Sequence, residues 1–116
     1  MIKVIIAGGR YFDNYNKLCQ ACDEILKDQI KIEIASGACK GADLLGERYA
    51  NERNYPIKQF PADWRRYEKS AGHKRNAEMA IYADMLIAFW DGKSKGTKNM
   101  IELATQAGLK VKVVYF

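Results

Sequence analysis

Val4-Ile5-Ile6-Ala7-Gly8-Gly9-Arg10 is the stretch that decides how the rest of the chain is read. Four apolar residues without alternation, stopped by two glycines, fit a strand covered on both faces, and such strands belong to parallel sheets flanked by helices. From Tyr15 the period changes: Tyr15, Leu18, Cys19, Cys22, Ile25 and Leu26 fall at the spacing of one helix face. Ile32-Glu33-Ile34-Ala35 then reads as a second strand ending at Ser36-Gly37. Gly41 to Asn54 reads as a second helix, with Leu44, Leu45, Tyr49 and the stem of Arg48 facing inward.

The alternation continues with a strand at Pro56 to Phe60, an irregular stretch through Pro61-Ala62-Asp63-Trp64, and a basic turn at Arg65-Arg66-Tyr67. A helix from Ala71 to Tyr82, a strongly apolar strand from Met85 to Trp90, a helix from Thr97 to Ala107 stopped by Gly108, and a strand from Lys110 to Tyr115 complete it. Parallel neighbours need crossover connections, and these are right-handed in nearly all known cases. The expected fold is therefore α/β: a Rossmann-like three-layer sandwich on a five-stranded parallel sheet of order 3-2-1-4-5. Its switch point falls between the first and fourth strands, where loops at the carboxyl ends open a crevice for ligands.

A length of 116 residues is the size of one domain, so residues 1–116 are expected to form a single domain with one site. With 48% hydrophobic and 28% charged residues the chain is neither disordered nor collagen-like. No apolar run approaches the roughly 20 residues of a membrane span, and the first residues lead directly into a strand, so a cytoplasmic location and no membrane partner are expected. Nineteen basic against fourteen acidic residues give a formal net charge of +5, which favours anionic partners without choosing among them. Three cysteines, an odd number, argue for reduced thiols.

The residues that scaffolding does not demand gather in the expected crevice. Gly8, Gly9 and Arg10 follow the first strand; Ser36, Gly37, Lys40, Gly41 and Asp43 follow the second; Trp64 follows the third; Asp91, Gly92, Ser94, Gly96 and Thr97 follow the fourth. Ser36-Gly-x-x-x-Gly41 and Gly92-x-x-x-Gly96-Thr97 each precede a helix, so each is expected to offer unpaired amides and a helix dipole to a phosphate. Strand-to-helix turns need glycine in any case, and the coincidence of two such loops at one cleft carries the functional reading. Neither loop is a Walker A sequence, and Gly-x-Gly-x-x-Gly is absent, which disfavours ATP hydrolysis and ordinary dinucleotide binding. Arg10 and Arg75 are the best placed anion ligands, since arginine pairs with phosphate through two bonds. Trp64 and Tyr11 are candidates for stacking on a base, while Phe12 and Trp90 are read as closing the core.

Cys19-x-x-Cys22 lies on the apolar stripe of the first helix and no second cysteine pair completes a four-ligand set, so packing is its reading and no metal site is expected. His73 is the only histidine, which leaves a histidine-based triad without support. Asp43, Asp63, Asp91 and Glu102 are the carboxylates available to hold a ribose hydroxyl or act as a base. No bound cofactor is predicted beyond a nucleotide-like ligand. The apolar end Val113-Val114-Tyr115-Phe116 forms an edge that a partner or a covering helix would protect, which leaves a homodimer open.

Gly8-Gly9-Arg10-x-Phe12-x-Asn14, Ser36-Gly37-x-x-x-Gly41-Ala42-Asp43, Pro61-Ala62-Asp63-Trp64, Gly72-x-x-Arg75-Asn76-x-x-Met79 and Ala88-Phe89-Trp90-Asp91-Gly92-x-Ser94-x-Gly96-Thr97 together resemble the YspA-type, cpYpsA-related group of the SLOG superfamily. The resemblance implies a Rossmann-like domain that binds a nucleotide or a molecule derived from one, and it adds Asn76 to the candidate ligand-binding residues. Distant similarity extends to the LOG nucleosidases, the molybdenum-cofactor carrier proteins and DprA. In the LOG enzymes an arginine and the glutamate of Pro-Gly-Gly-x-Gly-Thr-x-x-Glu support cleavage of an N-glycosidic bond. Arg75 and Gly96-Thr97 match that pattern, but Met100 stands where the glutamate belongs. Glu102 lies two residues on, about 200° around a helix. Three readings follow: binding or sensing of a nucleotide-like small molecule; hydrolysis of such a ligand, with Arg75 and Asp91 as catalytic candidates; and single-stranded DNA binding.

Overall fold

A computed structural model describes residues 1–116. Five strands, β1 (Ile2–Gly8), β2 (Ile32–Ser36), β3 (Ile57–Gln59), β4 (Met85–Trp90) and β5 (Lys110–Tyr115), form one sheet of order β3-β2-β1-β4-β5. Every pairing is parallel, with Val4 opposite Met85 and Ile2 opposite Ile32. This is the expected Rossmann-like α/β fold. Helices α1 (Tyr15–Ile25) and α2 (Ala42–Glu52) cover one face of the sheet; α4 (Ala71–Tyr82) and α5 (Lys95–Gln106) cover the other.

The unbroken apolar run of β1 is explained by two cores. Val4 and Ile6 join Leu18, Cys22, Tyr49 and Phe89 on the face covered by α1 and α2. Ile5 and Ala7 join Met79, Ala80, Met100 and Ala104 on the face covered by α4 and α5. Strand β4 divides the same way, with Ile87 on the first face and Leu86 and Ala88 on the second. Alternation along a strand thus sends successive side chains into different layers, and both layers are apolar.

Three local expectations are corrected. The stretch after β3 is not wholly irregular: Asp63 accepts the Arg66 amide at 3.1 Å and starts a one-turn helix α3 (Trp64–Tyr67), followed by a 3-10 turn at Glu68–Ser70. Leu44 does not face inward. It is 47% exposed, because α2 turns Ala42, Gly46, Tyr49 and Ala50 to the sheet instead. Arg48 is exposed too, its guanidinium 3.9 Å from the Tyr15 ring centroid. Cys22 is buried and Cys19 half-buried on the inner stripe of α1, and burial pushes the Cys22 thiol up to about 12. No helix is long and apolar enough to cross a membrane.

Candidate functional site

From β1 the chain leaves toward β2 and β3 on one side, and β4 and β5 lie on the other. The connections that leave the paired carboxyl ends of β1 and β4 therefore part in opposite directions, and a cleft of about 610 Å³ lies there. Its walls come from the β1 end (Gly8, Gly9, Arg10, Tyr11), the β2–α2 loop and start of α2 (Cys39, Asp43), α3, the 3-10 turn and α4 (Trp64, Lys69, His73, Arg75, Asn76), and the β4–α5 loop and start of α5 (Asp91, Ser94, Gly96, Thr97). Met79 and Met100 lie within it and Phe116 bounds it. That volume matches ordinary small-molecule sites.

Of the residues expected at the site, Gly8, Gly9, Arg10, Asp43, Trp64, Arg75, Asn76, Asp91, Ser94, Gly96 and Thr97 line this one cleft. Ser36, Gly37, Lys40, Gly41 and Gly92 do not. Ser36 is wholly buried; its hydroxyl donates to Glu47 at 2.6 Å and accepts the Ala38 amide at 3.0 Å. Gly37 is packed from two sides, since a β-carbon there would stand 2.5 Å from Arg75 Nη1 and 2.6 Å from Asp43 Oδ2. Gly41 has a φ of +86°, and a β-carbon there would strike the Gly9 carbonyl oxygen. These glycines shape the loop; they do not face the cleft.

The loop amides divide in a way that the sequence pattern does not disclose. In the β2–α2 loop, Ser36 takes the Ala38 amide and Asp43 Oδ2 takes the Cys39 amide at 3.3 Å. In the β4–α5 loop, Asp91 Oδ1 takes the amides of Lys93 and Ser94, both at 2.8 Å, and Ser94 caps Thr97 at 3.5 Å. Those amides are occupied. The first turn of the twelve-residue α5 retains the Lys95 and Gly96 amides, which have no partner within a helix that begins there. Gly96 leaves this turn open, for a β-carbon on it would meet nothing within 4 Å.

Arg75 and Asn76 join the two sides. Arg75 Nη1 donates to the Gly37 carbonyl oxygen at 2.5 Å, and Arg75 Nε donates to Asn76 Oδ1 at 2.9 Å. Asn76 Nδ2 in turn donates to the Gly96 carbonyl oxygen at 3.3 Å and to Asn99 Oδ1 at 3.0 Å. The pair thus ties the β2–α2 loop to the start of α5. Arg75 also passes Cys39 Sγ at 3.7 Å.

Four cations, Arg10, Lys69, Arg75 and Lys93, face two carboxylates, Asp43 and Asp91. Asp43 is only 5% exposed, and burial raises its pKa to about 6 against the opposing pull of Arg75 and the Cys39 and Gly8 amides. Asp91 is displaced downward by the Ser94 and Lys93 amides that it accepts. Met100, 1% exposed, lines the cleft where the hydrolase pattern would place a glutamate, and Glu102 is exposed outside it. No three His, Cys, Asp or Glu side chains converge in a way that could hold a metal ion.

Tyr11 is 86% exposed and Trp64 50% exposed at the rim. Phe12, by contrast, is buried against Phe89 at 4.8 Å and Phe116 at 4.9 Å, and Trp90 packs on Tyr115 while donating from Nε1 to the Ser94 carbonyl at 3.0 Å. Sequence reasoning passed over Lys69, Met79, Met100 and Phe116 as lining residues. Met79 and Met100 read as core by their helical spacing, and Phe116 reaches the cleft only because β5 pairs beside β4.

The architecture resembles a solved structure of DNA processing protein A from Helicobacter pylori, described for its single-stranded DNA binding mode. The TM-score is 0.68 at 20% identity, and the match covers 97% of this chain but only 64% of that one. In sequence, the chain is 31% identical to the gene 61 protein of Mycobacterium phage D29, over 96% of its own length and 94% of that protein's. Residues 2–67, which carry the Gly8-Gly9-Arg10 and Ser36-to-Asp43 loops, match the YspA, cpYpsA-related SLOG family along more than half of the chain. With that match and the phage relative spanning nearly its full length, the chain belongs to the YspA, cpYpsA-related SLOG family.

Proposed function

We propose that the chain binds or senses a phosphorylated, nucleotide-like small molecule in the cleft at the carboxyl ends of β1 and β4. The observation that carries the reading is that the open first turn of α5 and the half-exposed Trp64 ring line one cleft of about 610 Å³. A phosphate takes the Lys95 and Gly96 amides and the positive end of the α5 dipole, a well-matched pairing for an anion. Arg10, Arg75 and Lys93 add charge, and Trp64 or Tyr11 offers a face to the base. Titration calorimetry with the four ribonucleoside monophosphates tests this. One of them binds in low salt, and Gly96→Asp, which sets a carboxylate in the phosphate position, abolishes the heat. Gly96→Asp binding as tightly as the parent chain would move the phosphate elsewhere.

Single-stranded DNA is the second reading, favoured by the fold shared with DNA processing protein A, by the net charge of +5 and by the exposed rings at the rim. It predicts affinity that rises with strand length and falls steeply with salt. Hydrolysis is the third. It is disfavoured because Met100 offers no carboxylate and because Arg75 and Asp91, the catalytic candidates, are already bonded to Gly37, Asn76, Lys93 and Ser94. Chromatography of monophosphates incubated with the chain is expected to show no free base.

A further inference from the structure

The cleft does not end at Arg10 and Tyr11. Beyond them lies a shallower groove of about 400 Å³ floored by Leu44 and Leu45, and Arg10 and Tyr11 line both depressions. Two features of this outer groove lack an explanation in the fold. The Tyr11 ring is 86% exposed, and Leu44, off the inner face of α2, presents 47% of its surface to water. Packing of the domain does not require either side chain there, and both line the groove that shares Arg10 and Tyr11 with the main cleft.

The charges restrict what the groove takes. Its lining carries one cation, Arg10, and one anion, Asp13, beside the apolar surface of Tyr11, Leu44 and Leu45, which suits a neutral body. Arg10, at the divide, is the cation that meets a single bridging anion, and Lys40 Nζ lies 5.6 Å from the Tyr11 ring centroid beside it. A planar ring laid on Tyr11 covers that face and Leu44 together, and base-on-aromatic stacking tolerates any base because each has a π face.

We propose that the ligand is a two-ring, phosphate-bridged compound of dinucleotide size: one nucleoside in the main cleft beside Trp64, the phosphate bridge between the first turn of α5 and Arg10, and the second nucleoside on Tyr11 and Leu44 in the outer groove. This rests on the nucleotide reading above and names the class of ligand. It separates that class from nucleoside di- and triphosphates, which carry no second ring to cover Tyr11 and Leu44.

Calorimetry on the full chain tests it with five probes: the tightest-binding nucleoside monophosphate, its triphosphate, its symmetric pyrophosphate-bridged dinucleotide, its 3′→5′ dinucleotide, and a single-stranded 12-mer. At least one of the two-ring probes is expected to bind on the order of tenfold tighter than the monophosphate, and the triphosphate is expected to show no such gain. Leu44→Ala, at an exposed position outside the main cleft, removes several-fold of that gain and leaves monophosphate affinity unchanged. Two-ring probes that bind no tighter than the monophosphate, or a triphosphate with the same gain, would overturn the proposal while leaving the cleft reading intact. Affinity still climbing from dinucleotide to 12-mer would overturn it in favour of a strand. Failure of the monophosphate and the two-ring probes together would remove the nucleotide reading, and this inference with it.

Discussion

Arg75 Nη1 donates to the carbonyl oxygen of Gly37 at 2.5 Å, joining α4 to the β2–α2 loop across 38 positions of sequence. The same guanidinium holds Asn76, which holds the start of α5 through Gly96. One dipeptide on α4 therefore sets the spacing of the two glycine loops that border the cleft. Glycine is required at position 37 because the Arg75 guanidinium and the Asp43 carboxylate already occupy the space of a side chain. The walls are consequently arranged before any ligand arrives, which lowers the ordering cost of binding.

Arg75→Ala removes a charge-assisted hydrogen bond from a half-buried site and strands the Gly37 carbonyl. A loss of about 1.5–3 kcal/mol is expected from equilibrium urea unfolding. Arg75→Lys should fall between, since an ammonium can reach one carbonyl but cannot hold Gly37 and Asn76 in a planar fork. An unchanged midpoint in Arg75→Ala would show that the clamp adds nothing to the folded state.

Asp43 makes stability depend on pH in a direction opposite to most carboxylates. Its pKa is raised from 3.8 to about 6 in the folded chain, so its favourable contribution is complete below about pH 4 and is lost as pH rises through about 6. Asp43→Asn removes this titration. The stability of the variant relative to the parent should therefore climb between about pH 4 and pH 6, by up to about 3 kcal/mol, and level off above. Asp23 and Asp91, which are displaced downward, are common to both proteins and cancel in the difference. A flat difference across that interval would mean that Asp43 titrates normally.

Two glycines of the cleft loops should respond oppositely to alanine. Gly41→Ala places a side chain at φ +86° against the Gly9 carbonyl and is expected to cost more than about 2 kcal/mol. Gly96 sits in the first turn of α5 with open space around it, so Gly96→Ala is expected to be neutral or to stabilise by up to about 1 kcal/mol. Thermal unfolding of the two variants side by side checks the contrast; equal losses would mean that position 96 also has a packing role.

The sheet order was readable in the sequence because strands and helices alternate with little ambiguity, and because β1 and β4 are apolar on both faces. Asp63 ahead of Trp64-Arg65-Arg66 is a legitimate helix-start signal, yet one turn of helix is too short to show a period. Leu44 was misplaced because α2 meets the sheet through small residues and Tyr49, which the apolar pattern weights less than a leucine. Within the site, the turn in which Asp91 binds the amides of Lys93 and Ser94 is local and could be read from Asp-Gly-x-Ser. The bond from Arg75 to Gly37 spans separate elements and could not. The switch point of the strand order located the cleft; which amides remain free for a ligand is decided by tertiary contacts.

The central claim is that a phosphate binds at the first turn of α5. Phosphorus NMR of a nucleoside monophosphate, titrated with the chain at low salt, tests it most directly. The account predicts a shifted or broadened phosphate resonance with the parent chain and with Gly96→Ala at reduced amplitude, and the spectrum of the free nucleotide with Gly96→Asp. An unperturbed resonance with the parent chain for all four bases, or a perturbation that survives Gly96→Asp, would contradict it.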